Sequence, residues 1–164
     1  MRRARVNGEV ELIGAALLNG ITREASRGAR RRKNHNFHEP GAEGADRLLN
    51  AVEPGSYIQP HRHLAARKDE TLVVLRGAFG LVFFDAAGTV TRSALARAGG
   101  EVLGANIPRG TYHTLVALEP GSVFFEAKAG PYAALEASER APWAPAEGDP
   151  GAQGYLRELE ALFA

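Results

Sequence analysis

The chain of 164 residues contains no cysteine. That absence excludes disulfide bridges, thiol nucleophiles and thiolate metal sites, so any metal must be held by His, Asp or Glu. It also fits a reducing compartment, and the cytoplasm is the expected location. Charge of one sign is lacking too: 20 Lys and Arg against 19 Asp and Glu leave a net charge of +1. No general attraction to nucleic acid or to an anionic membrane follows from such a balance. Long apolar runs are missing as well. Glu9 and Glu11 interrupt the stretch after Met1-Arg2-Arg3, and nothing approaches the ~18 residues of a spanning helix, so neither a signal peptide nor an anchor is expected. Internal repeats are absent. Apolar residues at 45% and charged residues at 24% are ordinary for a globular protein, and the length suits one domain rather than two.

What is present is organised in three parts. Ile13, Ala16, Leu17, Ile21 and Ala25 recur at helical spacing, which predicts a short amphipathic helix. The basic segment Arg30, Arg31, Arg32, Lys33, Asn34, His35, Asn36, Phe37, His38 follows, so that residues 1–40 form an N-terminal helix and basic segment. From Arg47 the chain breaks into short runs split by Pro-Gly, Arg-Gly and Ala-Gly turns: RLLNAVEPG, SYIQPHRH, ETLVVLRG, AFGLVFFDAAG, TVTRSAL, EVLGANIPRG, TYHTLVALEPG and SVFFEAK. Runs at roughly ten-residue spacing, with no helix between them, predict an all-β barrel or sandwich over 41–131. The Ala-, Pro- and Gly-rich remainder, 132–164, is expected to wrap over the barrel, with Tyr132 and Trp143 as packing anchors and a helix from about Ala152 to Phe163.

Residues two apart in a strand share a face, so His61 and His63 would project together while Arg62 projects away. Glu70 opens the next run with Leu72 and Val74 on its face. His113 follows the turn at Pro108 and Gly110, with Leu115 and Ala117 on its face. Three imidazoles and a carboxylate suit one divalent transition metal, with Fe, Mn, Zn, Ni and Cu all compatible, and such a set leaves room for water or substrate. A lone His–x–His pair in a β-rich protein is more often packing than ligation.

The string Gly55–x5–His61–x–His63–x6–Glu70–x6–Gly77 resembles the first cupin motif, and Pro108–x–Gly110–x2–His113 resembles the second. Two departures are visible. The gap from His63 to Glu70 is longer than usual, and Val102 and Ala117 stand where glycine and asparagine are common. More narrowly, RRRKNHNFH, RLLNAVEPGSYIQPHRH, ETLVVLRG, IPRGTYHTLVALEPG, FEAKAGPY and APWAPAEGD make the chain similar to the WbuC family of cupin-fold metalloproteins, with coverage from about Arg30 to Asp149. The resemblance implies a single cupin jelly-roll barrel with an N-terminal helix and a C-terminal extension, metal at His61, His63, Glu70 and His113, a homodimer, and a link to bacterial surface-polysaccharide biosynthesis.

Other residues are candidates on weaker grounds. Tyr57 and Gln59 share the parity of His61 and His63 and would line the pocket or pack beside it. In the basic segment, Arg32, His35 and His38 would fold over the barrel mouth to take phosphate or carboxylate, or form a solvated face. Glu126 and Lys128 share a strand face. They are an acid/base pair if that face is interior and a solvent pair if it is not. The functions these residues admit are a sugar or sugar-nucleotide isomerase or epimerase with Glu126 as base, a metal-dependent dioxygenase, a non-catalytic small-molecule binder, and a metal-free histidine epimerase. The expected partner is a small molecule, a phosphorylated sugar among the options, and neither nucleic acid nor membrane.

Overall fold

Alternation sets the sheets. In the computed structural model, which describes residues 10–41 and 44–164, strand β3 (Glu70–Arg76) buries Glu70, Leu72 and Val74 and turns Thr71, Val73 and Leu75 outward. Met1-Arg2-Arg3 and Glu9, on which the expectation about a leader rests, lie outside the described residues. The other strands are β1 (Arg32–Asn36), β2 (Ala45–Val52), β4 (Ala78–Phe84), β5 (Val90–Arg97), β6 (Gly104–Ile107), β7 (Tyr112–Ala117) and β8 (Ser122–Ala129). They form two antiparallel sheets, one ordered β1-β2-β8-β3-β6 and the other β5-β4-β7. Leu72, Val74 and Phe124 of the first sheet pack on Phe79, Leu81 and Leu115 of the second. Burying each such side chain contributes about 1.5–3 kcal/mol, so this apolar layer holds the sheets face to face.

The outer faces are covered by the two helices. Helix α1 (Ala15–Arg27) lays Leu18, Ile21 and Ala25 on Leu49, Ala51 and Val123 of the larger sheet. The buried stripe therefore runs through Leu18, while Ile13 and Ala16, expected on it, are exposed. Helix α2 (Ala152–Glu160) lays Leu156 and Leu159 against Val82, Phe84 and Val116 of the smaller sheet. Trp143 packs there too, its ring centred 4.8 Å from that of Phe84. Tyr132 does not pack: it is 67% exposed, a correction to its expected role as an anchor.

Two further differences concern strands. The run SYIQPHRH is extended but forms no strand; His61 makes isolated bridges to His113 and to Arg140. Pro60 supplies no backbone donor, which interrupts any regular ladder at that point. In its place the basic segment contributes an edge strand, β1, paired with β2 from Arg32↔Val52 to Asn36↔Leu48. Charge concealed this strand, because only one of its faces meets α1. Among the described residues no helix is long and apolar enough to cross a membrane.

Candidate metal centre

His61 and His63 are placed by a segment stitched on both sides. His61 N–H donates to His113 O at 3.0 Å and His113 N–H returns a bond to His61 O at 2.9 Å. On the other side, Arg62 N–H donates to Glu139 O at 2.8 Å and Ala141 N–H to Pro60 O at 2.9 Å. The turn before β7 completes the frame: Gly110, at φ +82°, donates its N–H to His63 O at 2.8 Å. That φ is in the left-handed region, where glycine carries no steric cost. Glu70 reaches the same spot from the first residue of β3, flanked by Ile107 of β6 and Lys128 of β8.

The donor atoms of His61, His63, Glu70 and His113 all lie within 4.8 Å of one another. Bonds of about 2.0–2.2 Å to a central ion put ligand atoms roughly 3–4 Å apart, so the cluster is slightly wider than a closed site and of the right scale. Tautomers point the same way. His61 Nδ1 lies 3.0 Å from Gln59 O, and His113 Nδ1 lies 2.9 Å from Thr111 O. Each carbonyl takes the Nδ1 proton and leaves Nε2 as a bare lone pair, the form a metal requires. His113 Nε2 is buried and has no hydrogen-bond partner among the described residues. Its nearest acid, Glu70 Oε2, is 3.6 Å away, beyond hydrogen-bond reach, whereas His63 Nε2 sits 2.8 Å from that same oxygen.

Electrostatics favours the ligand forms of His61 and Glu70 and opposes that of His113. Burial, with His113 beside it, pushes the His61 imidazole down to about 3. Burial also works against charge on Glu70, but the imidazoles of His113 and His63 outweigh it and hold the carboxyl well below its ordinary range. For His113 burial is again opposed, here by Glu70, and the balance moves upward. A cation entering beside Glu70 would compete with that proton, so binding would weaken in acid.

The centre opens onto a cavity of about 390 Å³, to which His61, Glu70 and His113 contribute walls and His63 does not. That volume suits a small ligand. Glu126 and Lys128 also line it, which resolves the alternation in favour of the interior. Lys128 Nζ bonds Glu126 Oε1 at 2.5 Å, and Asn50 Nδ2 donates to Glu126 Oε2 at 2.9 Å. Arg32 and His38 reach the wall, but His35 does not: on the opposite parity of β1 it meets Glu11 at 2.6 Å and the edge of Phe37. Tyr57 and Gln59 also miss the cavity, because the extended segment is not a regular strand. Tyr57 Oη donates to Pro145 O at 2.7 Å within the layer under α2, and Gln59 Nε2 donates to Ala141 O at 3.3 Å.

Sequence reasoning overlooked polar lining residues outside the basic segment: Asp46 and Asn50 on β2 and Thr114 on β7. A signal existed for Asn50, a buried amide interrupting the apolar run Leu48 to Val52. Asp46 sat at the edge of the Gly- and Pro-rich loop and looked like part of it.

A family described as "Domain of unknown function (DUF6016)" matches residues 13–96, a range that holds His61, His63 and Glu70. No curated protein matches. Among solved structures, the chain is similar to KdgF from Halomonas sp., with 20% identity, a TM-score of 0.48, and coverage of 60% of this chain and 79% of that one. It is also similar to a conserved protein of unknown function from Streptococcus pyogenes, with 13% identity, a TM-score of 0.48, and coverage of 65% and 80%. For oxalate decarboxylase from Bacillus subtilis the values are 20% identity, a TM-score of 0.44, and coverage of 59% of this chain and 27% of that chain.

Proposed function

We propose, from the premise that the chain belongs to the DUF6016 family, that it is a cupin-type jelly-roll protein holding one divalent transition metal and acting on a sugar or sugar nucleotide. The observation that carries the metal is the meeting of His61, His63, Glu70 and His113, with the Nδ1 atoms of His61 and His113 tied to carbonyls and the buried Nε2 of His113 left without a partner among the described residues. When bound, the ion supplies Lewis acidity towards an oxygen of the ligand. The chain's own residues do the remainder. The apolar layer of Leu115 and Phe124 closes one side of the cavity to water, and Glu126 is the carboxylate that takes and returns a proton in an isomerisation or epimerisation. The WbuC resemblance is what favours a sugar in bacterial surface-polysaccharide biosynthesis and a homodimer, and the lack of cysteine is what favours the cytoplasm.

A second reading, a binder without turnover, has its own support. Both oxygens of Glu126 are already engaged, one by Lys128 and one by Asn50, so a base role requires that arrangement to loosen.

Elemental analysis of protein purified without a metal-affinity tag is the first test. About one equivalent of transition metal is expected in the wild type and little in His61→Ala or His113→Ala. A wild type that neither contains metal nor takes it up on reconstitution would falsify the metal reading. Metal-loaded protein is then incubated with sugar nucleotides in deuterated water. Proton abstraction from carbon leaves deuterium at the reacting position, visible by NMR, and Glu126→Gln abolishes it. Binding without exchange favours the binder, and oxygen uptake with bound iron favours a dioxygenase.

A further inference from the structure

We propose that Asp46, with Asn36 on the neighbouring strand β1, forms a second polar subsite on the cavity wall two strands from Glu70, and that it accepts hydroxyl groups of a neutral, monosaccharide-sized polyol. The inference rests on the reading above that this cavity receives the ligand.

Asp46 lines the cavity and is only 2% exposed, yet its Oδ2 has no hydrogen-bond partner among the described residues. A buried carboxylate oxygen without a donor is costly, and such groups are uncommon unless something else completes them. Its other oxygen, Oδ1, faces His38 Nε2 at 3.5 Å. His38 is held by the backbone of Arg47, whose N–H donates to its Nδ1 at 2.9 Å and whose O lies 3.1 Å from the same atom. Among the described residues none donates to Oδ2, and a ligand hydroxyl supplies such a donor.

Charge decides between a neutral polyol and a phosphate. Among the described lining residues the carboxylates are Asp46, Glu70 and Glu126, and the lysine and arginine already face acids. Lys128 bonds Glu126, while Arg32 bonds Glu147 at 2.7 Å and donates to Tyr57 O at 3.1 Å. A phosphate dianion would have to displace one of these partners and then sit near carboxylates. The Asn36 side chain carries donors and an acceptor in one amide, which matches a hydroxyl and adds no charge.

The spacing fits one sugar unit. Asp46 pairs with Lys128 across β2 and β8, and Lys128 pairs with Glu70 across β8 and β3. Two strand spacings separate Asp46 and Glu70, about 10 Å between backbones and less between the inward side-chain ends. A hexose with its exocyclic hydroxyls bridges such a gap, one edge towards the metal ligands and the other towards Asp46.

The test is saturation-transfer NMR and calorimetric titration of metal-loaded protein with D-glucose, D-galactose, D-mannose and L-rhamnose, with inorganic phosphate as competitor. Metal content is measured on the same samples. At least one sugar is expected to bind, phosphate not to displace it, and Asp46→Asn to weaken it about tenfold or more with metal content unchanged. Asn36→Ala, on an exposed edge strand, should fold whatever Asp46→Asn does, and should weaken binding about threefold. The proposal is overturned if no sugar in the panel binds, if phosphate displaces the sugar, or if both variants bind like the wild type. Loss of metal from the wild type bears on the metal reading alone, because the dependence on Asp46 and Asn36 can still be measured in metal-free protein.

Discussion

Glu147 shows how much one carboxylate does at an edge. It accepts from Arg30 Nε and Arg32 NH2, each at 2.7 Å, and so clasps the C-terminal wrap to β1 and its approach. Arg30 first, and then Arg32 against the opposing effect of burial, draw the Glu147 carboxyl from 4.5 down to about 2. A depressed acid stabilises the fold fully above its unfolded value and loses that contribution as pH falls through its folded one. Wild type should therefore lose stability between pH 4.5 and about pH 2 through this group, and Glu147→Gln should show a smaller loss over the same window. With the side chain 38% exposed, solvent screening limits the difference to roughly 1 kcal/mol. Urea unfolding of both proteins across that window measures it, and parallel curves would refute the assignment. Residues of this sort are hard to find from sequence, because Glu147 and Arg30 are far apart in the chain and nothing in the two stretches that hold them announces the pairing. The four candidate ligands were easier. Their spacing carries the chemistry, while Asp46 depends on a partner that is missing rather than on a pattern that is present.

Among the elements, docking of the C-terminal segment depends on a glycine in the middle of a strand. At Gly80 in β4, an added Cβ would lie 2.2 Å from Cε2 of Phe163, beyond the end of α2. Gly80→Ala should therefore expel the Phe163 ring and destabilise the protein by about 1–3 kcal/mol. Because the clash requires the ring, Phe163→Ala should make Gly80→Ala nearly harmless, a coupling that a double-mutant cycle in urea isolates. Additive effects would mean that Gly80 is needed for some other reason. Elements with a single strong period were legible in the sequence: α1, α2, and the strands from β2 to β8 in the runs where turns predicted them. Two were not. Strand β1 was hidden by its charge, since Lys33 and His35 answer acids near α1 while Arg32 and Asn34 enter the cavity. The histidine segment reads as a strand by alternation, but its hydrogen bonds go to β7 and to residues 139–141, partners that no local pattern announces.

For the molecule as a whole, the candidate ligands do more than surround a point. Glu70 belongs to β3 of the five-stranded sheet, His113 to β7 of the three-stranded sheet, and His61 and His63 to the segment bridged to β7. An ion held by all four would cross-link the two sheets at one end of the apolar layer, and the unfolded chain offers no comparable site. Binding to the folded state alone stabilises by mass action, by about 2.7 kcal/mol at a free metal concentration one hundred times the dissociation constant. For a chain of this size that corresponds to a rise in melting temperature of roughly 5–10 °C. Metal-loaded wild type treated with a chelator should lose that increment and regain it on adding the ion back. His113→Ala should melt at one temperature with or without chelator, because it removes the ligand contributed by β7. Glu70→Gln should behave similarly, since it removes the charged ligand contributed by β3. If His113→Ala kept the full chelator response, His113 would not be a ligand. If Glu70→Gln kept it, the ion would be held on the side of the three-stranded sheet alone and would have no part in fastening the two sheets together.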